Sequence, residues 1–142
     1  MIKKPSKNWY SAPGGKMEFG ESVLQAAIRE FYEETGLRLI NPKLSSVFTF
    51  VIEDEEEKSQ YQWMMHTFVA NDFDGELLIE SKEGKLEWVS THDISNLPMA
   101  EGDRLLIEHA ISPSKDVLTG TFLYTNQFKL LNHTIDIEYE KR

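Results

Sequence analysis

The sequence contains no cysteine, so disulfide bonds, thiolate catalysis and cysteine-ligated zinc are all excluded. We therefore expect a protein of the reducing cytoplasm. Long apolar runs are also absent, because stretches such as residues 50–52 and 77–79 fall far short of the roughly 20 residues that span a bilayer. Residues 1–5 lack the apolar region of a signal peptide. The sequence thus predicts neither a membrane span nor secretion.

Basic residues are scarce relative to acidic ones. The chain has 15 Lys and Arg against 24 Asp and Glu, for a formal net charge of -9 in 142 residues. Such a surface repels a phosphate-rich polymer, so we expect no nucleic acid partner. A small polyphosphate is still compatible with it, because a divalent cation held by carboxylates reverses the local field. The length predicts one domain, residues 1–142, with one core.

One helix is marked at both ends. Ser22 with Gln25 three residues later forms a capping box, and Gly36 stands where a left-handed residue follows a helix. These signals predict a helix over residues 23–35. Its apolar stripe comprises Leu24, Ile28, Phe31 and Thr35. We expect this stripe to pack against the core while the opposite side faces a cleft.

Three glutamates lie on that opposite side. Glu30, Glu33 and Glu34 follow the spacing i, i+3 and i+4, which gathers their carboxylates on one face. Like charges so close together repel unless a cation lies among them, and hard oxygen ligands of this kind suit Mg²⁺ or Mn²⁺ together with substrate phosphates. Arg29, in the middle of the acids, can pair with Glu21 or with one of the ligands and fix its orientation.

The rest of the chain predicts an α/β (α+β) architecture. Strands are indicated at residues 44–53, 61–71, 76–79 and 85–90 by their Val, Phe, Trp, Tyr and Thr content. A second helix is predicted over residues 99–111, between two prolines. Residues 117–125 and 129–139 alternate well enough to form a carboxy-terminal hairpin. Trp88 is predicted to be a core residue.

A Glu-x-x-Glu-Glu pattern alone usually marks a solvated helix face, but here every position of a longer string is filled. Residues 15–37 read G-x5-E-x7-R-E-U-x-E-E-x-G-U, where U is a bulky apolar residue. This string resembles the Nudix box. Residues 13–16, 83–89, 97–99 and 120–125 are also similar to the family's MutT-like branch, above all to bacterial 8-oxo-dGTP diphosphatases. The resemblance implies a Nudix fold, which is a mixed β-sheet sandwiched between helices.

The resemblance also implies roles for the residues of the box. The ligands of Mg²⁺, or of Mn²⁺ in its place, would be Gly14, through its carbonyl, Glu30, Glu33 and Glu34. The residues that support the site would be Gly15, Glu21, Arg29 and Gly36. In the resembling enzymes a glutamate from a later loop also approaches the metals, and Glu83 stands at the matching place. Alternatively, Glu83 is a solvent-exposed glutamate in a turn.

The implied activity is metal-assisted attack of water on a phosphorus of a diphosphate linkage. A nucleoside triphosphate would give a nucleoside monophosphate and pyrophosphate. The general base would be either Glu30 or Glu83, and Arg29 would orient the catalytic glutamates. Two other readings stay open. One is a different nucleoside-diphosphate-linked substrate, such as a dinucleoside polyphosphate, a nucleotide sugar or an RNA 5′ end. The other is a nucleotide-binding module without turnover.

Residues outside the box are candidates for substrate contact. Lys4 and Lys16, together with Lys3, would meet phosphates, unless they only solubilise the surface. Trp9 would stack on the nucleobase or else pack in the core. Glu101 stands where one well-known pattern of MutT-like enzymes has an asparagine. A carboxylate accepts hydrogen bonds from a base but donates none, so the preferred base could differ. The favourable charge at a helix start is the alternative explanation for Glu101.

The amino end departs from the family pattern. Nudix domains normally carry an apolar strand or two before the lysine-rich stretch, whereas this chain begins almost inside it, at residues 1–4. We therefore expect the domain to lack its usual amino-terminal strand, as a truncated product, an alternative start or a domain completed by a partner. The protein is expected to be a monomer or homodimer that acts on a small-molecule nucleotide.

Overall fold

The computed structural model describes residues 1–4 and 9–136. The strands are β1 (Ile2–Lys4), β2 (Trp9–Ser11), β3 (Leu37–Ile40), β4 (Lys43–Asp54), β5 (Ser59–Val69), β6 (Asp72–Gly75), β7 (Glu80–Ser81), β8 (Gly84–Leu86), β9 (Leu118–Thr125) and β10 (Leu130–Ile135). The α-helices are α1 (Val23–Thr35) and α2 (Glu101–Ile111), and a short 3₁₀ helix covers Thr91–Asn96. The predicted helix over residues 23–35 and the α/β (α+β) class are confirmed.

Strand β4 is the centre of a mixed sheet. It pairs in parallel with β9 and antiparallel with β5, and β10 completes the order β10-β9-β4-β5. Alternate residues of β4 are buried, as expected for a strand with one face on the core. The core comprises Phe48, Phe50 and Ile52 of β4, Phe122 and Tyr124 of β9, and Leu106 of α2. Helix α2 therefore covers one face of this sheet.

A second, antiparallel sheet joins distant parts of the chain. Its order is β2-β1-β8-β7, and β3 pairs separately with β6. In this sheet Lys3 lies opposite Tyr10, and Lys4 lies opposite Trp9. Neighbouring residues of a strand point to opposite faces, whereas directly paired residues share one. Lys4 and Trp9 therefore share one face of the sheet, and Lys3 and Tyr10 share the other.

Helix α1 has the two ends that its sequence predicted. The Ser22 hydroxyl accepts from the Gln25 N–H at 3.1 Å, and the Gln25 side chain accepts from the Ser22 N–H at 2.8 Å. Gly36 is left-handed, with φ of 82°, and its N–H donates to the Tyr32 carbonyl. A Cβ at Gly36 would overlap the Glu76 carbonyl oxygen, so a larger residue is excluded there. The predicted apolar stripe is only partly buried, because Leu24 is exposed.

Two local predictions are wrong. Residues 76–79 form no strand, because the Leu78 N–H donates to the Thr35 carbonyl at the end of α1 (2.8 Å) rather than to a neighbouring strand. Trp88 is 68% exposed instead of buried, and its ring lies 5.6 Å from that of Phe73. Strand β8 ends at Leu86, so the alternation that suggested a buried Trp88 does not extend to it.

The carboxy-terminal hairpin is confirmed as far as it is described. Strands β9 and β10 pair antiparallel with a register shift between Leu130 and Asn132. Residues 137–139, which were predicted to continue the second strand, lie outside the described residues. No helix in residues 1–4 and 9–136 is both long and apolar enough to cross a membrane. The predicted absence of an amino-terminal strand before β1 stays a prediction.

Helix α2 begins without a cap from its own N-cap residue, Ala100. Instead, the hydroxyl of Tyr124 in β9 accepts a hydrogen bond from the Gly102 N–H at 2.6 Å. A Cβ at Gly102 would overlap that hydroxyl. A core residue of the mixed sheet thus fixes the start of α2, where Glu101 and Asp103 lie.

Replacing Tyr124 with phenylalanine is expected to lower the free energy of unfolding by about 1–3 kcal/mol, because the buried Gly102 N–H loses its acceptor. Urea denaturation measures this change. Tyr61→Phe is the matched control, since Tyr61 is 57% exposed and its change should stay within about 0.5 kcal/mol. Equal stabilities of Tyr124→Phe and the parent would contradict the capping role of Tyr124.

Candidate active site

One cavity, of about 550 Å³, is lined by Glu30, Glu33, Glu34, Lys82 and Glu83. The first three residues come from α1, and the other two come from the turn between β7 and β8. The helical spacing alone gathers the first three carboxylates. Glu83 joins them only because the antiparallel sheet brings the later turn to the same place. Four glutamates that the sequence marked as metal ligands are therefore neighbours in space.

Arg29 neutralises part of this acidic surface. Its guanidinium donates to Glu21 at 2.7 and 2.9 Å, to Glu30 at 2.8 Å and to Glu33 at 3.2 Å. The hydrogen bonds with Glu21 and then with Glu30 raise the pKa of Arg29 above its ordinary value. Because the guanidinium presents several donors in a fixed plane, it holds these carboxylates in one arrangement.

The loop before α1 is tied to the same arginine. Glu21 accepts from the Glu18 N–H at 2.7 Å, and the Lys16 carbonyl accepts from Arg29 at 3.0 Å. The hydrogen bond from Arg29, followed by the one from the Glu18 backbone, lowers the pKa of Glu21. Glu21 and Arg29 thus connect the loop to the helix, in the arrangement that the sequence predicted for them.

Two glycines of the loop approach the acidic face closely. The Gly14 N–H donates to the Glu34 carboxylate at 2.8 Å. A Cβ at Gly15 would overlap the Glu30 carboxylate, whereas one at Gly14 would meet nothing within 4 Å. The role predicted for the Gly14 carbonyl stays a prediction, since the contact between Gly14 and Glu34 is made by the Gly14 N–H.

Glu34 lies in a negative local field. Burial is the main reason that its pKa is raised, and the Gly14 hydrogen bond opposes it. The charges of Glu83 and Glu30 raise this pKa further, while the charge of Lys4 lowers it. The negative charge around the Glu34 carboxylate is therefore only partly neutralised. A divalent cation binds most favourably at such a place.

Glu83 is held in its turn by the backbone. Its N–H donates to the Ser81 hydroxyl at 3.1 Å, and that hydroxyl donates to the Gly84 carbonyl at 3.2 Å. Its carboxylate lies 3.6 Å from the ammonium nitrogen of Lys4. This contact places Lys4, a predicted phosphate contact, beside the cavity.

The other predicted substrate residues are more dispersed. Trp9 shares a sheet face with Lys4, whereas Lys16 is exposed on the loop before α1 and Glu101 is exposed in the first turn of α2. The described residues that line the cavity do not include these three. Lys3 points to the opposite sheet face, with its ammonium nitrogen 5.8 Å from the Tyr10 ring centre, so its suggested phosphate contact is not supported.

Two residues near the cavity were not predicted. Lys82 lines it, and its place directly before Glu83 could have suggested this. Asp103 is half-buried in the first turn of α2, and burial raises its pKa while the charge of Lys4 lowers it. No pattern in the sequence reveals Asp103, because its burial depends on packing between distant parts of the chain, such as β2 and the segment before α2, where the Tyr10 N–H donates to the Pro98 carbonyl.

The carboxylates of Glu30, Glu33 and Glu34 suit a hard divalent cation, although each of them has another hydrogen-bond partner in this structure. Among the described residues, no group of three or more His, Asp or Glu side chains is already arranged to hold a metal ion. Arg29 holds Glu30 and Glu33, and the Gly14 N–H holds Glu34. Carboxylate oxygens are the ligands that Mg²⁺ and Mn²⁺ prefer, so the chemistry of these side chains fits such an ion.

Comparison with known proteins identifies the family. The NUDIX domain pattern matches residues 2–110. The chain is 47% identical over 141 residues to an uncharacterized Nudix hydrolase, YvcI, of Bacillus subtilis, covering 99% of this chain and 88% of that protein. It is 31% identical over 127 residues to an oxidized purine nucleoside triphosphate hydrolase of Danio rerio, covering 87% and 74%.

A solved structure gives the same result. The crystal structure of a mutator MutT protein from Bacillus halodurans superposes with a TM-score of 0.89 at 45% sequence identity, covering 97% of this chain and 89% of the other. The complete Nudix box, the family match over most of the chain and this shared fold agree. The chain therefore belongs to the Nudix hydrolase family.

Proposed function

We propose that the protein hydrolyses a nucleoside triphosphate to the monophosphate and pyrophosphate in a Mg²⁺-dependent reaction, with 8-oxo-dGTP and related oxidised purine nucleotides as the first candidate substrates. The family itself acts on nucleoside-diphosphate-linked substrates and generally needs divalent metal ions. The observation that carries the proposal is the cavity shared by Glu30, Glu33, Glu34 and Glu83. Residues 1–142 would form the one domain that carries this activity.

The residues of the cavity fit distinct tasks. Glu30, Glu33, Glu34 and Glu83 would hold Mg²⁺ or Mn²⁺, with the Gly14 carbonyl as a further ligand. When bound, such an ion supplies acidity to water and neutralises charge on the phosphates. The base that accepts the proton of the attacking water would be Glu30 or Glu83. Arg29 holds Glu30 and Glu33 through its guanidinium and would thereby orient them.

The choice of an oxidised purine is supported by one relative and by candidate contacts to the base. The Danio rerio relative is named for hydrolysis of oxidized purine nucleoside triphosphates. In this chain Trp9 would stack on the base, and Lys4 and Lys16 would meet phosphates. Glu101 and the half-buried Asp103 lie in the first turn of α2, where their carboxylates would accept hydrogen bonds from a purine N–H and amino group.

Incubation of the purified protein with Mg²⁺ and a panel of nucleotides tests this proposal. The panel comprises 8-oxo-dGTP, the normal triphosphates, ADP-ribose, diadenosine polyphosphates and a 5′-triphosphorylated RNA, and chromatography separates the products. We expect 8-oxo-dGTP to give the monophosphate and pyrophosphate with the highest kcat/KM. If another nucleotide of the panel were hydrolysed faster, that nucleotide would be the preferred substrate instead. A folded sample that hydrolyses none of them would refute the enzymatic function.

Replacing Gly15 with alanine is expected to reduce kcat/KM by about tenfold or more, because the added methyl group would displace the Glu30 carboxylate and misplaced catalytic groups lose rate steeply. Gly14→Ala is the matched control, since its Cβ would meet nothing within 4 Å and its carbonyl is kept. Steady-state rates on the best substrate measure both. If both variants lost activity equally, the contact with Glu30 would not be the cause.

A further inference from the structure

Lys4 contacts a carboxylate at the acidic cavity. Its ammonium nitrogen is 3.6 Å from the Glu83 carboxylate, and the two side chains are 45% and 51% exposed. Its positive charge also lowers the pKa of Glu34 in α1 and of Asp103 in α2. Lys4 of β1 thus carries its charge to Glu83, which lines the acidic cavity.

Lys4 differs from Arg29 and Lys3 in the contacts that it makes. Arg29 contacts Glu18, Glu21, Glu30, Glu33 and the Lys16 carbonyl. A guanidinium with so many partners is fixed. Lys3 is the neighbour in sequence, but it lies on the other face of the sheet over Tyr10. Within residues 1–4 and 9–136, Lys4 forms one ion pair, which is long and half-exposed. Such an interaction is weak, and a stronger ligand can displace it.

We propose that Lys4 is a displaceable counter-ion for Glu83, a positioning residue that neutralises this carboxylate until metal and nucleotide bind. The inference rests on the proposed function, because it takes Glu83 as a metal ligand. An ammonium group and a divalent cation repel each other and compete for the same oxygens. Binding of the cation therefore releases Lys4 from Glu83 and frees its ammonium group for the phosphate oxygens of the nucleotide.

This role predicts opposite effects of one substitution on two ligands. Without nucleotide, Lys4→Met should bind Mn²⁺ about fivefold more tightly than the parent, because the competing cation is gone and a half-exposed ion pair is worth about that factor. With Mn²⁺ saturating, the same variant should bind a non-hydrolysable nucleoside triphosphate about fivefold more weakly, because a phosphate contact is lost. A residue that only stabilises the fold would not separate the two affinities in this way.

The first measurement is electron paramagnetic resonance of free Mn²⁺, titrated into metal-free protein. Lys3→Met is the matched control, since it removes the same charge one residue away on the other sheet face, and its Mn²⁺ affinity should stay within about twofold of the parent. In a Glu83→Gln background, Lys4→Met should change Mn²⁺ affinity by about twofold or less, because the contact with Glu83 is gone and only the screened field of Lys4 at Glu34 is left. Lys4→Arg keeps the charge and should retain the Mn²⁺ affinity of the parent.

The outcomes are distinguishable. If Lys4→Met and Lys3→Met changed Mn²⁺ affinity equally, or if Lys4→Met kept its full effect in the Glu83→Gln background, the counter-ion role would be overturned and the proposed function would stand. If the parent bound no Mn²⁺ at all, the proposed metal site would fail, and the inference would fail with it. Circular dichroism would show whether Lys4→Met disturbs β1. If it does, Lys4→Arg still tests the role, because it changes the side chain and keeps the charge.

Discussion

Glu34→Gln should lower kcat/KM at least about a hundredfold, the usual loss when one electrostatic stabiliser is removed from a site. The substitution keeps the size of the side chain and an oxygen that can accept the Gly14 N–H, which now lies 2.8 Å from the carboxylate. What it removes is the negative charge. If a divalent cation binds between α1 and the turn that carries Glu83, that charge is essential.

Measurements of stability distinguish a loss of catalysis in Glu34→Gln from a loss of folding. Burial and the charges of Glu83 and Glu30 raise the pKa of Glu34, so the charged form is disfavoured in the metal-free protein. Glu34→Gln should therefore be at least as stable as the parent when Mg²⁺ is absent, and Mg²⁺ should raise its unfolding temperature less. Glu108→Gln, exposed on α2, is the control. Initial rates over a range of Mg²⁺ concentrations provide the measurement, and a Glu34→Gln enzyme as fast as the parent contradicts the assignment.

Arg29→Met is the second substitution with a large expected effect. It leaves Glu21, Glu30 and Glu33 without the guanidinium that now lies 2.7 to 3.2 Å from them. Residues that hold metal ligands typically contribute about 10- to 100-fold to activity, and we expect a loss of kcat/KM in that range. The unfolding temperature should fall as well, because three carboxylates then repel each other and the loop before α1 loses its anchor.

Arg29→Lys distinguishes charge from geometry. Lysine keeps the positive charge but cannot donate to Glu21 and Glu30 from one rigid plane. We expect it to recover part of the stability but little of the activity. Thermal unfolding and steady-state rates, measured on the same samples, give the two values. Full recovery of activity by lysine would show that Arg29 acts only through its charge.

The acidic helix could be predicted in detail because its information is local. The capping box of Ser22 and Gln25, the left-handed Gly36 and the spacing of Glu30, Glu33 and Glu34 all lie within one stretch of chain. Helical geometry converts such spacing directly into a face. The fold class also followed from local patterns, together with the family resemblance.

The rest depended on which distant strands pair. The short strands β1 and β2 decide that Lys4 faces the cavity and Lys3 does not, and a shift of one residue in their register would exchange the two. The burial of Asp103 and the exposure of Trp88 have the same origin, since each follows from where neighbouring elements begin and end. Such positions could not be read from residue types alone.

The predicted location in the cytoplasm and the monomeric or dimeric state stay predictions. Size-exclusion chromatography with light scattering would measure the oligomeric state.

Anomalous diffraction from crystals that hold Mn²⁺ and a non-hydrolysable nucleoside triphosphate tests the central claim most directly. We expect a manganese peak within bonding distance of Glu33 and Glu34, with Glu30 or Glu83 as a further neighbour and the triphosphate bound to the metal. A triphosphate bound elsewhere on the protein, with no manganese among these four glutamates, would contradict the account.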